Sequence, residues 1–243
     1  MTPRRALITG ANRGIGLETA RQLGRLGFGV LVAARDDGAA ADAVRTLREE
    51  GISNAQSLQL DVTSAASIAH AVEEVTARYP ALDVLINNAG VLLDDPDQSP
   101  SAQSMEVWRQ TFEVNFFGTI AVTRALLPLL RAAPAARIVN LSSRLASLEL
   151  HSDPSSAIYH SKDAAYNCSK TAVNAWTVSL AYELRDTPIK VNAAHPGHVR
   201  TDMGGPKAPI PVQEGARTGV ALATLGPLGP SGRFIHMGQE LPW

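Results

Sequence analysis

Short apolar runs recur along the chain: "ALIT" at 6–9, "GVLVAA" at 29–34, "SLQL" at 57–60, "DVLIN" at 83–87, "RIVNL" at 137–141, "KVNAAH" at 190–195 and "GRFIH" at 232–236. Runs this short, bounded by turn residues, read as strands buried on both faces. Between them lie stretches with helical spacing of apolar positions, at 16–26, 42–50, 68–79, 107–130 and 164–185. Strand and helix in regular alternation predict an α/β domain: one parallel, doubly wound sheet of about seven strands with helices on both faces. No Pro/Gly/Ser-rich linker and no internal repeat interrupts the pattern, so residues 1–243 read as a single domain.

Two segments break the alternation. "DDPDQSPSAQS" at 94–104 reads as a polar loop, and "GHVRTDMGGPKAPIPVQEG" at 197–215, rich in Gly and Pro after a strand, reads as a mobile lid. A lid there would cover the carboxyl ends of the strands, where open α/β sheets bind ligands.

Composition narrows the partners. With 22 Lys+Arg against 23 Asp+Glu, and no dense basic run, the chain has no electrostatic reason to bind nucleic acid. Cys168 is the single cysteine, which excludes an intramolecular disulfide and a zinc site built on cysteine pairs. His195 and His198 have no carboxylate–histidine spacing around them, so no metal is expected. The apolar run after "MTPRR" is too short for a signal peptide, and "ALLPLL" is stopped by Arg131, so no membrane span is expected and the protein is expected in the cytoplasm.

The first strand runs into "TGANRGIG", which then opens a helix. Gly10, Gly14 and Gly16 leave room for a pyrophosphate to approach the backbone, and free N–H groups at the helix start bind the anion. After the second strand, Arg35 offers a cation where an acidic residue would hold an unphosphorylated ribose, and Arg13 is available from the loop. The cofactor is therefore read as NADP(H). Asp36 leaves NAD(H) open, since its carboxylate could turn to the ribose, or else cap the next helix.

"YHSKDAAYNCSK" at 159–170 holds two tyrosines, each followed by Ser-Lys. Tyr166 has Lys170 at i+4, one helical turn along the same face, whereas Tyr159 has Asp163 there. A phenol with pKa near 10 needs a nearby cation to serve as a proton shuttle, which favours Tyr166. Val173, Leu180 and Leu184 continue its face toward the sheet, and Tyr159 is expected outside the helix. Cys168, between Tyr166 and Lys170 but angled away from both, reads as a packing thiol.

Together with the glycine loop, "NNAG" at 87–90, "VNFFG" at 114–118, "NLSS" at 140–143, "YNCSK" at 166–170 and "HPGHVRTDM" at 195–203 occur in one order. In this the chain resembles the short-chain dehydrogenase/reductase family over almost its whole length, and its tail looks most like the NADPH-dependent carbonyl reductase branch. The resemblance implies a Rossmann-type fold. It implies Tyr166 as general acid/base, Lys170 as the partner that lowers its pKa and binds the nicotinamide ribose, Ser143 as holder of the substrate oxygen, and Asn115 as support for a proton-relay water. Ser143 is chosen over Ser142 as the second serine of the family pattern; adjacent strand residues face opposite ways, so only one can face the crevice.

For the cofactor the resemblance implies Gly10, Asn12, Arg13, Gly14, Ile15 and Gly16 in the loop, with Arg35 beyond it. Asp61 and Val62 fall beside the adenine, Asn88, Ala89 and Gly90 beside the adenosine ribose, and Pro196, Gly197, Val199 and Thr201 on the nicotinamide side with Tyr166 and Lys170. The implied activity is reduction of a ketone or aldehyde, reversible to alcohol oxidation. An imine or activated C=C reductase, or a non-catalytic NADP(H)-binding regulator, are the alternatives. Ser143 and Tyr166 stand 23 positions apart, about ten more than the family's usual spacing, which places an insertion at about 147–163. That insertion points to a monomer or homodimer rather than a tetramer. Val91, Leu92, Arg144, Leu145, Leu148, Tyr159 and Met203 are the candidate pocket residues, mostly apolar, and imply a small hydrophobic carbonyl substrate.

Overall fold

A computed structural model of the chain describes residues 3–243. The first half runs β1 (Arg5–Thr9), α1 (Gly14–Arg25), β2 (Gly29–Ala34), α2 (Asp37–Glu49), β3 (Ala55–Gln59), α3 (Ala65–Arg78) and β4 (Val84–Asn87). Then follow α4 (Met105–Phe112), α5 (Gly118–Ala132), β5 (Arg137–Leu141), α6 (Leu148–Ser152), α7 (Ala164–Glu183) and β6 (Lys190–Ala194). The chain closes with α8 (Val212–Gly215), α9 (Arg217–Ala223), β7 (Phe234–His236) and β8 (Gln239–Glu240). The strands form one sheet in the order β3-β2-β1-β4-β5-β6-β7-β8.

Seven strands are parallel, and β8 pairs antiparallel with β7. The sheet thus has one strand more than the apolar runs indicate, because β8 is two exposed polar residues at the sheet edge and carries no hydrophobic signal. Alternate side chains of the central strands feed separate cores. Leu7, Leu31, Leu85, Ile138 and Val191 face α3, α5 and α7. Ala6, Ile8, Val32, Ile86 and Val139 face α1, α2 and α9. Strand order reverses between β1 and β4, where crossovers leave in opposite directions and open a crevice at the carboxyl ends.

Local chemistry sets the helix limits. The α2 helix starts earlier than its apolar spacing suggests because the Asp36 carboxylate accepts from the Ala39 N–H at 2.6 Å. Residues 105–132 form one helix, interrupted by a π turn at Glu113–Phe117. By length and composition alone this helix could cross a membrane. Here Val122, Leu126, Leu129 and Leu130 sit in the core shared with α3 and α7, as in a buried helix of a layered domain.

Candidate active site

A cleft of about 630 Å³ opens at the carboxyl ends of the strands, across the point where strand order reverses. Gly10 and Gly14 stand at φ of 60° and 56°, in the left-handed region that favours glycine, and carry the chain from β1 into α1. A Cβ on Gly10 would lie 2.9 Å from Ala89 Cα, and one on Gly16 would lie 2.6 Å from the Gly10 carbonyl oxygen. The start of α1 has neither a side-chain cap nor an acidic residue in its first turn, so its N–H end is left for an anion. Residues 88–90 lie against this loop: the Asn88 and Ala89 amides both donate to Thr9 Oγ1 at 3.0 Å, and Asn88 Nδ2 donates to the Gly10 carbonyl at 3.0 Å.

Asn12, Arg13, Ile15 and Arg35 line the cleft, as do Asp61 and Val62. The Asp61 carboxylate also accepts from the Thr63 amide at 2.9 Å, an ordinary turn cap at a strand end. Pro196 and Thr201 line it too, whereas Gly197 and Val199 do not. Those two carry the fold of segment 197–215 instead: Val199 bridges to Ile210, and a Cβ on Gly197 would strike the Ile210 side chain at 2.3 Å. The segment is anchored to α1 by a bond from Gln22 Nε2 to the Gln213 carbonyl at 2.8 Å. An exposed ion pair at 2.7 Å joins Arg13 to Asp202 across the mouth.

Tyr166 and Lys170 are on α7, almost fully buried, and both line the cleft. Burial pushes the Tyr166 phenol up to about 12; a hydrogen bond with Ser143 pulls it back in part, and the Asp163 carboxylate raises it. Lys170 is pushed down to about 8 by burial, and its Nζ donates to the Leu141 carbonyl at 2.8 Å and lies 5.8 Å from the Tyr166 ring centre. The spacing argument has Lys170 lowering the phenol, yet here burial raises it, and the Lys170 ammonium is turned to the Leu141 carbonyl. Ser142 lines the cleft but gives its hydroxyl to Asn174 Oδ1 at 2.6 Å; Ser143 is not among the lining residues, its Oγ accepts from the Leu145 amide at 3.2 Å, and it lies close enough to the Tyr166 phenol to lower it.

Asn115 is fully buried in the π turn. Its Oδ1 accepts from the Val91 amide at 2.8 Å, its Nδ2 donates to the Val91 carbonyl at 2.9 Å and to Ser169 Oγ at 3.0 Å, and its own carbonyl accepts from Thr119 Oγ1 at 2.9 Å. His195 accepts the Arg144 amide on Nδ1 at 3.0 Å and so holds the turn that follows Ser143. Burial, with His236 and Arg144 close by, pushes its pKa down to about 3 and keeps the ring neutral.

Of the candidate pocket residues, Val91 and Met203 line the cleft, and Leu92, Arg144, Leu145, Leu148 and Tyr159 do not. The insertion folds back on the turn after Ser143: Ser147 Oγ donates to the Trp243 carbonyl at 3.1 Å, and the His151 ring bonds the Leu145 carbonyl at 3.0 Å. Tyr159 lies outside α7 with Lys162 5.0 Å over its ring. Cys168 is exposed rather than packed, because its position on α7 points away from the sheet. Sequence reasoning missed Asp94, a buried carboxylate bonded to the Ala165 and Tyr166 amides; its partners are some seventy residues away, and no local signal marks it.

Known proteins resemble the chain in sequence and in fold. A family model described as short chain dehydrogenase matches residues 4–209. Mouse carbonyl reductase (NADPH) 1, from Mus musculus, is 36% identical, the alignment covering 98% of each chain. The crystal structure of NADPH-bound carbonyl reductase from chicken fatty liver superposes with a TM-score of 0.86 at 29% identity, covering 100% of both chains. A gluconate 5-dehydrogenase from Burkholderia cenocepacia, in complex with NADP and tartrate, gives 0.81 at 27% identity, covering 97% of this chain and 93% of its own.

Proposed function

The chain belongs to the short-chain dehydrogenase/reductase family, and on that premise we propose that it is an NADP(H)-dependent carbonyl oxidoreductase in which Tyr166 moves the proton. One observation carries the reading: a buried phenol and a buried lysine line the same cleft as the glycine loop, with the Ser143 hydroxyl near the phenol. The cleft suits the cofactor by its uncapped helix start, its glycines and the cations Arg13 and Arg35. Asp36 also lines the cleft, with one carboxylate oxygen committed to the cap of α2; the neighbouring Arg35 is what favours the 2'-phosphorylated form.

When bound, NADPH supplies the hydride that reduces the carbonyl carbon. With a pKa of about 12, Tyr166 holds its proton at neutral pH and is poised to donate it to the substrate oxygen. The Ser143 hydroxyl, close enough to the phenol to lower it, is placed to hold that oxygen beside it. Lys170, at about 8, is mostly charged at neutral pH and favours the phenolate left after proton transfer. Asn115 holds Val91, and with it one wall of the cleft. Val91, Val114, Met203 and Val212 line the cleft beyond the dinucleotide motifs and support a small hydrophobic ketone or aldehyde as substrate.

The test is loss of NADPH absorbance with a panel of aromatic and aliphatic ketones, aldehydes and quinones, run beside NADH and beside Tyr166→Phe. Turnover with NADPH that the variant loses is the expected result. Full activity in Tyr166→Phe would overturn the role of the tyrosine, and binding of NADPH without turnover of any member would favour a regulatory role.

A further inference from the structure

Helix N-termini leave their first amides without partners, and a side chain just before the helix normally accepts from them. At the start of α7 this local cap is missing: Asp163, in the capping position, makes no side-chain bond to the helix. Asp94 takes its place from a distant loop. Its Oδ1 accepts from the Ala165 amide at 2.8 Å and its Oδ2 from the Tyr166 amide at 3.0 Å, with the residue only 7% exposed.

The carbonyl side of Tyr166 is tied as well. The Tyr166 carbonyl accepts from Ser169 Oγ at 2.7 Å, and Ser169 Oγ accepts from Asn115 Nδ2 at 3.0 Å. Asn115 in turn holds both the amide and the carbonyl of Val91. Val91 lines the cleft, directly after the "NNAG" segment that rests on the glycine loop, and three residues further on is Asp94. The hydrogen bonds therefore close a circuit from the dinucleotide side of the cleft, through Asn115 and Ser169, to the Tyr166 backbone, and back through Asp94.

We propose that Asp94 is a positioning residue for the proton donor: a carboxylate delivered by the loop behind the cofactor segment, which sets Tyr166 in register with Ser143 and Lys170. This rests on the role proposed for Tyr166 above. A local cap would stabilise α7 equally well, but it would leave the helix free to shift against the cleft wall. A cap delivered from that wall fixes the helix to it, and displacement of a reacting group by about 1 Å costs on the order of a hundredfold in rate.

The experiment compares Asp94→Ala, Asp94→Asn and, as a control, Leu180→Ala, which loosens α7 from the core more than three turns from Tyr166. Melting temperature, NADPH dissociation constant, kcat, the isotope effect with 4-deuterated NADPH and exchange of the 165–166 amides are read for each. In Asp94→Ala, kcat is expected to fall about 10- to 100-fold with NADPH affinity changed less than about threefold, the isotope effect to rise, and both amides to lose protection. Asp94→Asn retains one acceptor oxygen and is expected between wild type and Asp94→Ala; it decides the matter if Asp94→Ala does not fold. Leu180→Ala is expected to lose melting temperature while keeping kcat and the isotope effect. Equal kcat losses in Asp94→Ala and Leu180→Ala at matched loss of stability, or full turnover in Asp94→Ala, would overturn the proposal. Absence of wild-type turnover on every carbonyl would instead sink the functional reading, and the tether would then be decided by exchange: amides still protected in Asp94→Ala would reject it.

Discussion

Replacing Lys170 by Met is expected to make the cofactor-free protein more stable while removing its activity. Lys170 is about 5% exposed, and burial takes its pKa from 10.5 to about 8. That difference corresponds to roughly 3 kcal/mol of unfavourable burial of the charged amine at neutral pH. Methionine has similar length and no charge, but it leaves the Leu141 carbonyl without the donor now 2.8 Å away, which costs about 1 kcal/mol. The net gain is then about 2 kcal/mol, worth about 5 °C in Tm for a chain of this size. The sign fixes the pH window. The folded state binds this proton more weakly than the unfolded state, so the cost is fully present below about pH 8 and is relieved as pH rises toward 10.5. Tyr166, raised from 10.0 to about 12, stays protonated in both states below pH 10 and adds no slope there. Urea unfolding of both proteins between pH 6 and 10 is the assay: Lys170→Met should lead at pH 6 to 7 and lose its lead between about pH 8 and 10. A variant less stable than wild type at pH 7, or a difference flat with pH, would refute the reasoning that burial of the charge dominates at this position.

Other consequences follow from the same geometry. Ser143→Ala removes the hydroxyl beside the phenol and should lower kcat on the order of a hundredfold, whereas Ser142→Ala should keep turnover and lose about 1 kcal/mol of stability through its Asn174 partner; equal kinetic losses would mean that the wrong serine has been assigned. Gly16→Ala drives a Cβ into the Gly10 carbonyl and Ala11 Cα, at 2.6 and 2.8 Å, and should cost about 1–3 kcal/mol together with NADPH binding, both readable by thermal shift with and without cofactor. Asp202→Asn frees Arg13 from its exposed partner and should tighten NADPH up to about fivefold at low salt, leave NADH unchanged, and lose the effect as salt is added. Fluorescence titration of the two cofactors measures this, and equal tightening of both would show that Arg13 does not meet the 2'-phosphate.

Much of the architecture was legible along the chain because it is set locally. Buried strands need continuous apolar runs, as at Gly29–Ala34 and Arg137–Leu141, whose limits match their runs. The loop into α1 needs glycine where φ is positive, and a lysine one turn after a tyrosine shares its helix face whatever surrounds it. Asp36 as a helix cap is equally local. What depends on burial or on distant partners was not legible in this way. The phenol sits at about 12 rather than lowered, since desolvation depends on the walls that close over α7. Cys168 is exposed because its helix face is the one that no element covers, and the insertion misses the cleft because the Trp243 carbonyl and the turn after Ser143 hold it elsewhere.

Sequence alone thus determined the alternation of strands and helices, the glycine loop and the Tyr166–Lys170 pair, all of them consequences of backbone periodicity and conformational preference within a few residues. Tertiary structure decided the two-residue edge strand, the clamp of Asn115 on Val91, the long-range cap of Asp94 on the tyrosine's helix and the charge state of the buried pair. The last three arise where residues far apart in the chain exclude water together, and the cost of removing a charge or an amide from water is fixed by that enclosure and not by neighbours in sequence.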